Sequence, residues 1–189
     1  LASKSTALKA PTPETGQAMQ DYIITATDLC VHKKLDAMVT CPITKTAMKK
    51  ARSRYHGHTE LLAGRTRTAD FAMMLAGNRL KVVLVTIHVP LSQVPAILTK
   101  QSILNTITLT GTSLMARFGI SEPRIGVAGL NPHAGEDGMF GNQERDIIQP
   151  AVEDAVGLGF NAKGPLPPDT IYYQAVQGRF DAVVSMYHD

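Results

Sequence analysis

Three of the six histidines, His88, His133 and His188, stand 45 and 55 residues apart, and each follows an apolar run of β type. The runs are KVVLVTI (81–87), RIGVAGL (124–130, with Asn131-Pro132 intervening) and DAVVSMY (181–187). In an open parallel sheet, the loops beyond the carboxyl ends of the strands are free to carry ligands. Three strands that each deliver one neutral imidazole to such a rim suit a divalent ion, zinc before cobalt, nickel or manganese. Three protein ligands leave positions open to substrate or water, which points to catalysis rather than to a structural metal. One such histidine alone would be an ordinary residue at the edge of a core. The spacings match no local metal motif, so the inference depends on the fold bringing the strand ends together.

Other polar groups fall at the same edge. Gly57-His58-Thr59-Glu60 opens a helix, where free amides and the dipole favour an anion such as phosphate; simple capping by Thr59 is the competing reading. Asn131 to Gly138 is a glycine-rich turn with acids in it, suited to supporting a metal ligand or to solvation alone. Asp169 and Asp189 are candidates for moving a proton or orienting an imidazole. His56 reads as a loop residue and His32 as one near a helix end. No GxGxxG follows a strand, and neither a P-loop nor GxSxG occurs.

The elements that must position these residues alternate. Thr12-Pro13-Glu14 predicts a helix start, with Met19, Tyr22, Ile23, Ala26, Leu29 and Cys30 as its apolar face. Leu35–Thr40 reads as a first strand, and the three histidine-bearing runs complete a set of four. Helices are expected over Thr59–Gly77, in one or two pieces, over Thr99–Phe118 with Gly119 as the stop, over Glu144–Val156, and near Ile171–Val176. Pro150 predicts a kink or the true start of the third of these. Gly164-Pro165-Leu166-Pro167-Pro168 reads as a stiff loop. The alternation predicts an α/β fold, a mostly parallel sheet with helices on both faces.

Composition bounds the rest. The chain has 189 residues, 44% hydrophobic and 19% charged, with a formal net charge of +3, which excludes disordered, collagen-like and coiled-coil classes. The longest apolar run, Phe71–Ala76, is far short of the ~20 residues of a membrane helix, and residues 1–20 hold no signal-peptide core, so a cytoplasmic protein is expected. The basic stretch Lys45–Arg54, with Arg65 and Arg67, is too local for nucleic acid; it fits a small anion or a solvated helix face. Cys30 and Cys41 lack CxxC spacing and read as reduced thiols.

The segments GHTELLA (57–63), Thr86-Ile87-His88-Val89-Pro90-Leu91, GLNPHAGEDG (129–138), GPLPPDT (164–170) and MYHD (186–189), in this order, resemble the 4-hydroxythreonine-4-phosphate dehydrogenase family. The resemblance runs from about Pro13 to the last residue. It implies a fold similar to isopropylmalate and isocitrate dehydrogenases, which bind NAD or NADP without the glycine fingerprint. It places the metal-binding histidines on His88, His133 and His188, and the substrate-binding pair on His58-Thr59. It further implies a divalent metal (zinc, or else cobalt, magnesium or manganese), a small phosphorylated amino-acid substrate, and a homodimer with its active site at the subunit interface. No nucleic-acid or membrane partner is implied. Residues 1–189 would be the metal- and substrate-binding central portion of a larger two-domain enzyme. An N-terminal part with a Gly-Pro-rich turn would be missing, and so would a later part bearing a substrate-binding Lys, Asn and Arg. Thr44 stands where relatives often have Asn or His, leaving open a sister dehydrogenase acting on a phosphorylated sugar acid or a cyclic dihydrodiol. Three histidines with an open position also suit a metal hydrolase, and a metal-binding fragment without activity is a third reading.

Overall fold

The computed structural model describes residues 10–55 and 57–188. His56 and Asp189, both singled out from the sequence, lie outside the described residues. The chain divides into two compact units, Leu1–Phe71 and Ala72–Asp189.

The first unit is helical. Helix α1 (Pro13–Val31) begins where predicted: Thr12 and Thr15 form a reciprocal capping box, and Pro13 occupies the first turn. His32 caps its other end, its Nδ1 2.7 Å from the Asp28 carbonyl oxygen. The buried face is Gly16, Gln20, Ile23 and Thr27, rotated from the predicted one, and Tyr22 stays half exposed. Gly16 is required there, because a Cβ would collide with the Ala47 carbonyl of α2 (Lys45–Lys50). Helix α3 (His58–Thr66) packs Leu61 onto Ile23 and Met48 to form this unit's core.

The expected strand Leu35–Thr40 is not one. Residues 37–44 carry no regular structure, and no described strand lies beside them to complete a ladder, which a strand needs and an apolar pattern cannot supply alone. Met38 and Ile43 instead pack on the helical core.

In the second unit, five strands among the described residues form one sheet in the order β1-β2-β5-β3-β4. Strand β1 (Met73–Ala76) lies antiparallel to β2 (Lys81–Leu84), the Gly77 amide donating to the Leu80 carbonyl across the turn. The sequence pattern predicts helix through Gly77, because Met and Leu favour it; pairing with β2 overrides that preference. A 3-10 turn (Leu91–Gln93) and the short α4 (Val94–Ile97) lead into α5 (Lys100–Phe118). A Thr99–Ser102 capping box opens α5, and Gly119 in the left-handed region (φ 68°) closes it. Strand β3 (Arg124–Ala128) follows. A π-helical turn (Glu144–Ile148) then runs into α6 (Gln149–Gly157), so Pro150 marks the start of the regular helix. Strand β4 (Asn161–Leu166) replaces the expected stiff loop; among the described residues it pairs only with β3, and an edge strand tolerates proline. Helix α7 (Pro168–Val176) and β5 (Ala182–Ser185) complete the unit.

Strands β2, β5, β3 and β4 are parallel. Alternation along them divides two cores. Ile125, Val127, Ala182 and Val184 meet Ile103, Ile107, Leu114, Ile148, Ala151 and Ala155 of α5, the π turn and α6. Ala128 and Val183 meet Ile171 and Ala175 of α7 on the other face. The predicted α/β architecture, mostly parallel with helices on both faces, is the observed one.

Candidate functional site

Because β2, β5 and β3 are parallel neighbours, the three histidines leave from adjacent strand ends on one edge, with His188 central. The pairing of β2 with β5 continues past the strands. The Val85 amide donates to the Ser185 carbonyl (2.9 Å), the Thr86 amide to that of Met186 (3.2 Å), and the buried Thr86 hydroxyl to the same Met186 oxygen (2.7 Å). With Met186 buried beneath, this ladder delivers His88 and His188 as a pair, ring centroids 6.3 Å apart and interplanar angle 30°. His88 holds φ of +56°, a conformation that costs a non-glycine residue energy and recurs at functional positions.

His133 does not join that pair within one chain; its ring lies against Phe140, 6.2 Å between centroids. It sits in a left-handed turn, with φ positive at His133, Ala134, Gly135, Glu136, Asp137 and Gly138 in succession. Among the described residues no three His, Cys, Asp or Glu side chains are close enough to hold one metal ion. The donor chemistry fits a divalent ion, and a single chain gathers two of the three imidazoles.

Glu144 is a residue that the sequence reading passes over. It is buried, and its Oε1 accepts from the amides of Leu130 and Asn131, both at 2.7 Å, while Oε2 accepts from Asn131 Nδ2 at 2.9 Å. Three donors offset the cost of burying the carboxylate. The signal for it is weak: an acid at the start of a helix reads first as a partner of the helix dipole.

Asp169 is exposed in the first turn of α7, just past the carboxyl end of β4, and therefore on the histidine edge of the sheet. In the first unit, His58 and Thr59 open α3 after Gly57, whose cap has no side-chain hydrogen bond. His58 Nε2 is buried with no hydrogen-bond partner, a costly arrangement that a ligand would relieve. Thr44 is the N-cap of α2, its hydroxyl accepting from the Ala47 amide at 3.1 Å. Cys30 and Cys41 are free thiols, and no helix of the described residues is long and apolar enough to cross a membrane.

Comparison with known proteins bears on the same residues. Residues 2–189 match the family described as pyridoxal phosphate biosynthetic protein PdxA. The chain is 61% identical over 179 residues to 4-hydroxythreonine-4-phosphate dehydrogenase of Desulforapulum autotrophicum, covering 95% of this chain and 53% of that protein. It is 44% identical over 164 residues to D-threonate 4-phosphate dehydrogenase of Salmonella typhimurium, covering 87% and 50%. The crystal structure of 4-hydroxythreonine-4-phosphate dehydrogenase from Klebsiella pneumoniae superposes with a TM-score of 0.91 at 39% identity, covering 98% of this chain and 56% of that one. The chain thus spans about half the length of the curated relatives it matches. With a match that takes in the GLNPHAGEDG turn and the MYHD segment, and a backbone that superposes over nearly its whole length, the chain belongs to the PdxA family of pyridoxal phosphate biosynthesis.

Proposed function

We propose that this protein oxidises 4-phosphohydroxy-L-threonine at C3 with NAD or NADP and releases carbon dioxide, leaving 3-amino-2-oxopropyl phosphate for pyridoxal phosphate synthesis. The observation that carries the reading is the sheet order, in which the strands bearing His88, His188 and His133 are neighbours with their carboxyl ends on one edge. We read the architecture as akin to isopropylmalate and isocitrate dehydrogenases, and the enzyme as cytoplasmic.

In the oxidation the C3–H bond breaks and its electron pair leaves with hydrogen as hydride to the nicotinamide, while the hydroxyl proton passes to a base. Asp169 and Asp189 are the carboxylates assigned to that proton. The product is a β-keto acid, so the bond between C2 and its carboxylate breaks with the electron pair drawn onto the new carbonyl, and a proton taken up at C2 converts the resulting enolate to the ketone. A divalent ion, zinc or else cobalt, magnesium or manganese, supplies Lewis-acid stabilisation of that oxygen when bound. His58 and Thr59 are assigned to the substrate phosphate: the buried, unpartnered Nε2 and the uncapped start of α3 together suit an anionic oxygen. Holding the phosphate spends binding energy remote from C3 on orienting C3.

The third imidazole is assigned to a second copy of the chain, in a homodimer that shares its sites. In support, Leu91, Met139 and Phe140 are exposed at 66%, 73% and 46% on loops of the histidine edge, apolar surface that a partner subunit would cover. The test measures NAD(P) reduction with 4-phosphohydroxy-L-threonine, D-threonate 4-phosphate and a cis-dihydrodiol, together with zinc content in His88→Ala, His133→Ala and His188→Ala. Turnover of the first substrate and loss of zinc in all three variants are expected. Turnover of D-threonate 4-phosphate alone would replace the substrate, as the Salmonella typhimurium relative's name suggests. Phosphate release without nicotinamide would make the protein a hydrolase. Zinc content unchanged in the three variants would reject the metal site.

A further inference from the structure

We propose that Glu144 is the positioning residue for His133, acting through the 129–138 turn and Asn131. The proposal rests on the reading of His133 as a working group of the site. Glu144 reaches the turn from the π-helical segment after it and ties down its start: the amides of Leu130 and Asn131 on one oxygen, the Asn131 side chain on the other. Asn131 Nδ2 is shared with Gln143 Oε1 at 2.9 Å, so two consecutive residues hold one side chain, two positions before His133.

The turn is shaped around this carboxylate. A Cβ at Gly129 would lie 3.1 Å from Glu144 Oε1, and one at Gly135 2.8 Å from Oε2, so glycine at both positions leaves room for the acid. The Gly129 amide is fixed separately by the Leu166 carbonyl of β4 at 2.8 Å. Beyond Pro132 the chain runs through six residues of positive φ, His133 to Gly138, four of them not glycine. Such a run persists only where its surroundings over-determine it. Within the turn itself the constraints are main-chain bonds: the Ala134 amide to the Asn131 carbonyl, Met139 to Glu136 and Phe140 to Gly135, at 3.1–3.2 Å. Glu144 supplies the anchor at the end of the turn nearest the imidazole. His133 therefore owes its place to hydrogen bonds made on Asn131 rather than on its own ring.

The directions of these bonds give a discriminating test in the intact enzyme. Asn131→Asp sets two carboxylates face to face; Glu144→Gln costs one bond; the double variant restores it with donor and acceptor exchanged. The measurements are deuterium uptake of peptides covering 129–138, the ring resonances of His133, and turnover with NAD(P) and 4-phosphohydroxy-L-threonine. Asn131→Asp is expected to speed exchange in the turn at least fivefold, to displace the His133 resonances, and to lower kcat at least tenfold with KM for the nicotinamide cofactor within twofold. Glu144→Gln should do so more weakly, and the double variant should recover turn protection, ring resonances and kcat together. Unchanged His133 resonances in Asn131→Asp, or a double variant no better than Asn131→Asp, overturns the proposal. Displaced resonances with unchanged turnover uphold the positioning by Glu144 and reject instead the role assigned to His133.

Discussion

His58 shows how one atom can separate a structural histidine from a binding one. A histidine retained for packing would have both ring nitrogens satisfied or in water; here Nε2 is buried and bonded to nothing. His58→Asn therefore removes no hydrogen bond at that nitrogen from the free protein, and its urea midpoint should stay within error of the parent. If Nε2 meets the substrate phosphate, the same variant should raise KM for the phosphorylated substrate about 10- to 100-fold, the range of a hydrogen bond to a charged group. A stability loss with unchanged KM would return His58 to a packing role. Asp181 behaves oppositely, since its partners are all present. It accepts from the Arg124 amide at 2.8 Å and from Arg124 Nε and a terminal guanidinium nitrogen at 3.1 and 3.0 Å, joining the start of β5 to that of β3. These bonds hold its carboxyl below the usual carboxylate range. A depressed folded value stabilises above the unfolded value of about 3.9, and that stabilisation is lost as pH falls through the folded value. Asp181→Asn should thus cost about 1 kcal/mol near pH 7, and its urea midpoint should approach the parent's below about pH 4. A gap that instead closes at alkaline pH would contradict the assignment.

At the scale of elements, close backbone approaches decide what sequence pattern leaves open. Strand β4 sits so near β3 at Gly164 that a Cβ would collide with the Val127 carbonyl oxygen and lie 2.8 Å from Val127 Cβ. Gly164→Ala should destabilise by about 1–3 kcal/mol, the range for overpacking, because the obstruction is backbone and cannot rotate away. Urea unfolding of the variant checks this; an unaltered midpoint would mean that β4 lies farther from β3. Gly111 of α5 makes a similar opening for the Phe160 ring, whereas a methyl group at Gly157 would meet nothing within 4 Å, so that position should accept alanine. Buried Thr106 and Thr110 show why the apolar face of α5 is only partly legible. Their hydroxyls donate to the carbonyls four residues earlier, at 2.9 and 2.6 Å, and so enter the core with their polarity satisfied. Met115 and Phe118, which stand at helical spacing from the buried Ile107, Gly111 and Leu114, are nonetheless 42% and 45% exposed.

For the whole molecule, the question is whether the site is made by one chain or two. One chain sets His88 beside His188 and holds His133 against Phe140. If the second copy completes the set, His133→Ala and His188→Ala chains, each inactive alone, should complement when unfolded together and refolded. A random mixture of dimers would contain intact sites amounting to about a quarter of the parent's, and turnover should recover to that level. Absence of any recovery in a mixture shown to form mixed dimers would place all three ligands in the same chain.

The sequence by itself determined the strands KVVL, RIGVA and AVVS, the Thr12-Pro13 start of α1, the Gly119 stop of α5 and the three histidines at strand ends, since these follow from local pattern and local chemistry. Only the tertiary structure decided three further matters. Met73–Ala76 became a strand because β2 offered it a ladder, and Leu35–Thr40 gained no ladder among the described residues. Strand order, a non-local property, made the strands bearing His88, His188 and His133 neighbours. The burial of Glu144 beneath the His133 turn likewise depends on where a helix start comes to rest against a loop more than ten residues earlier, which no periodicity encodes.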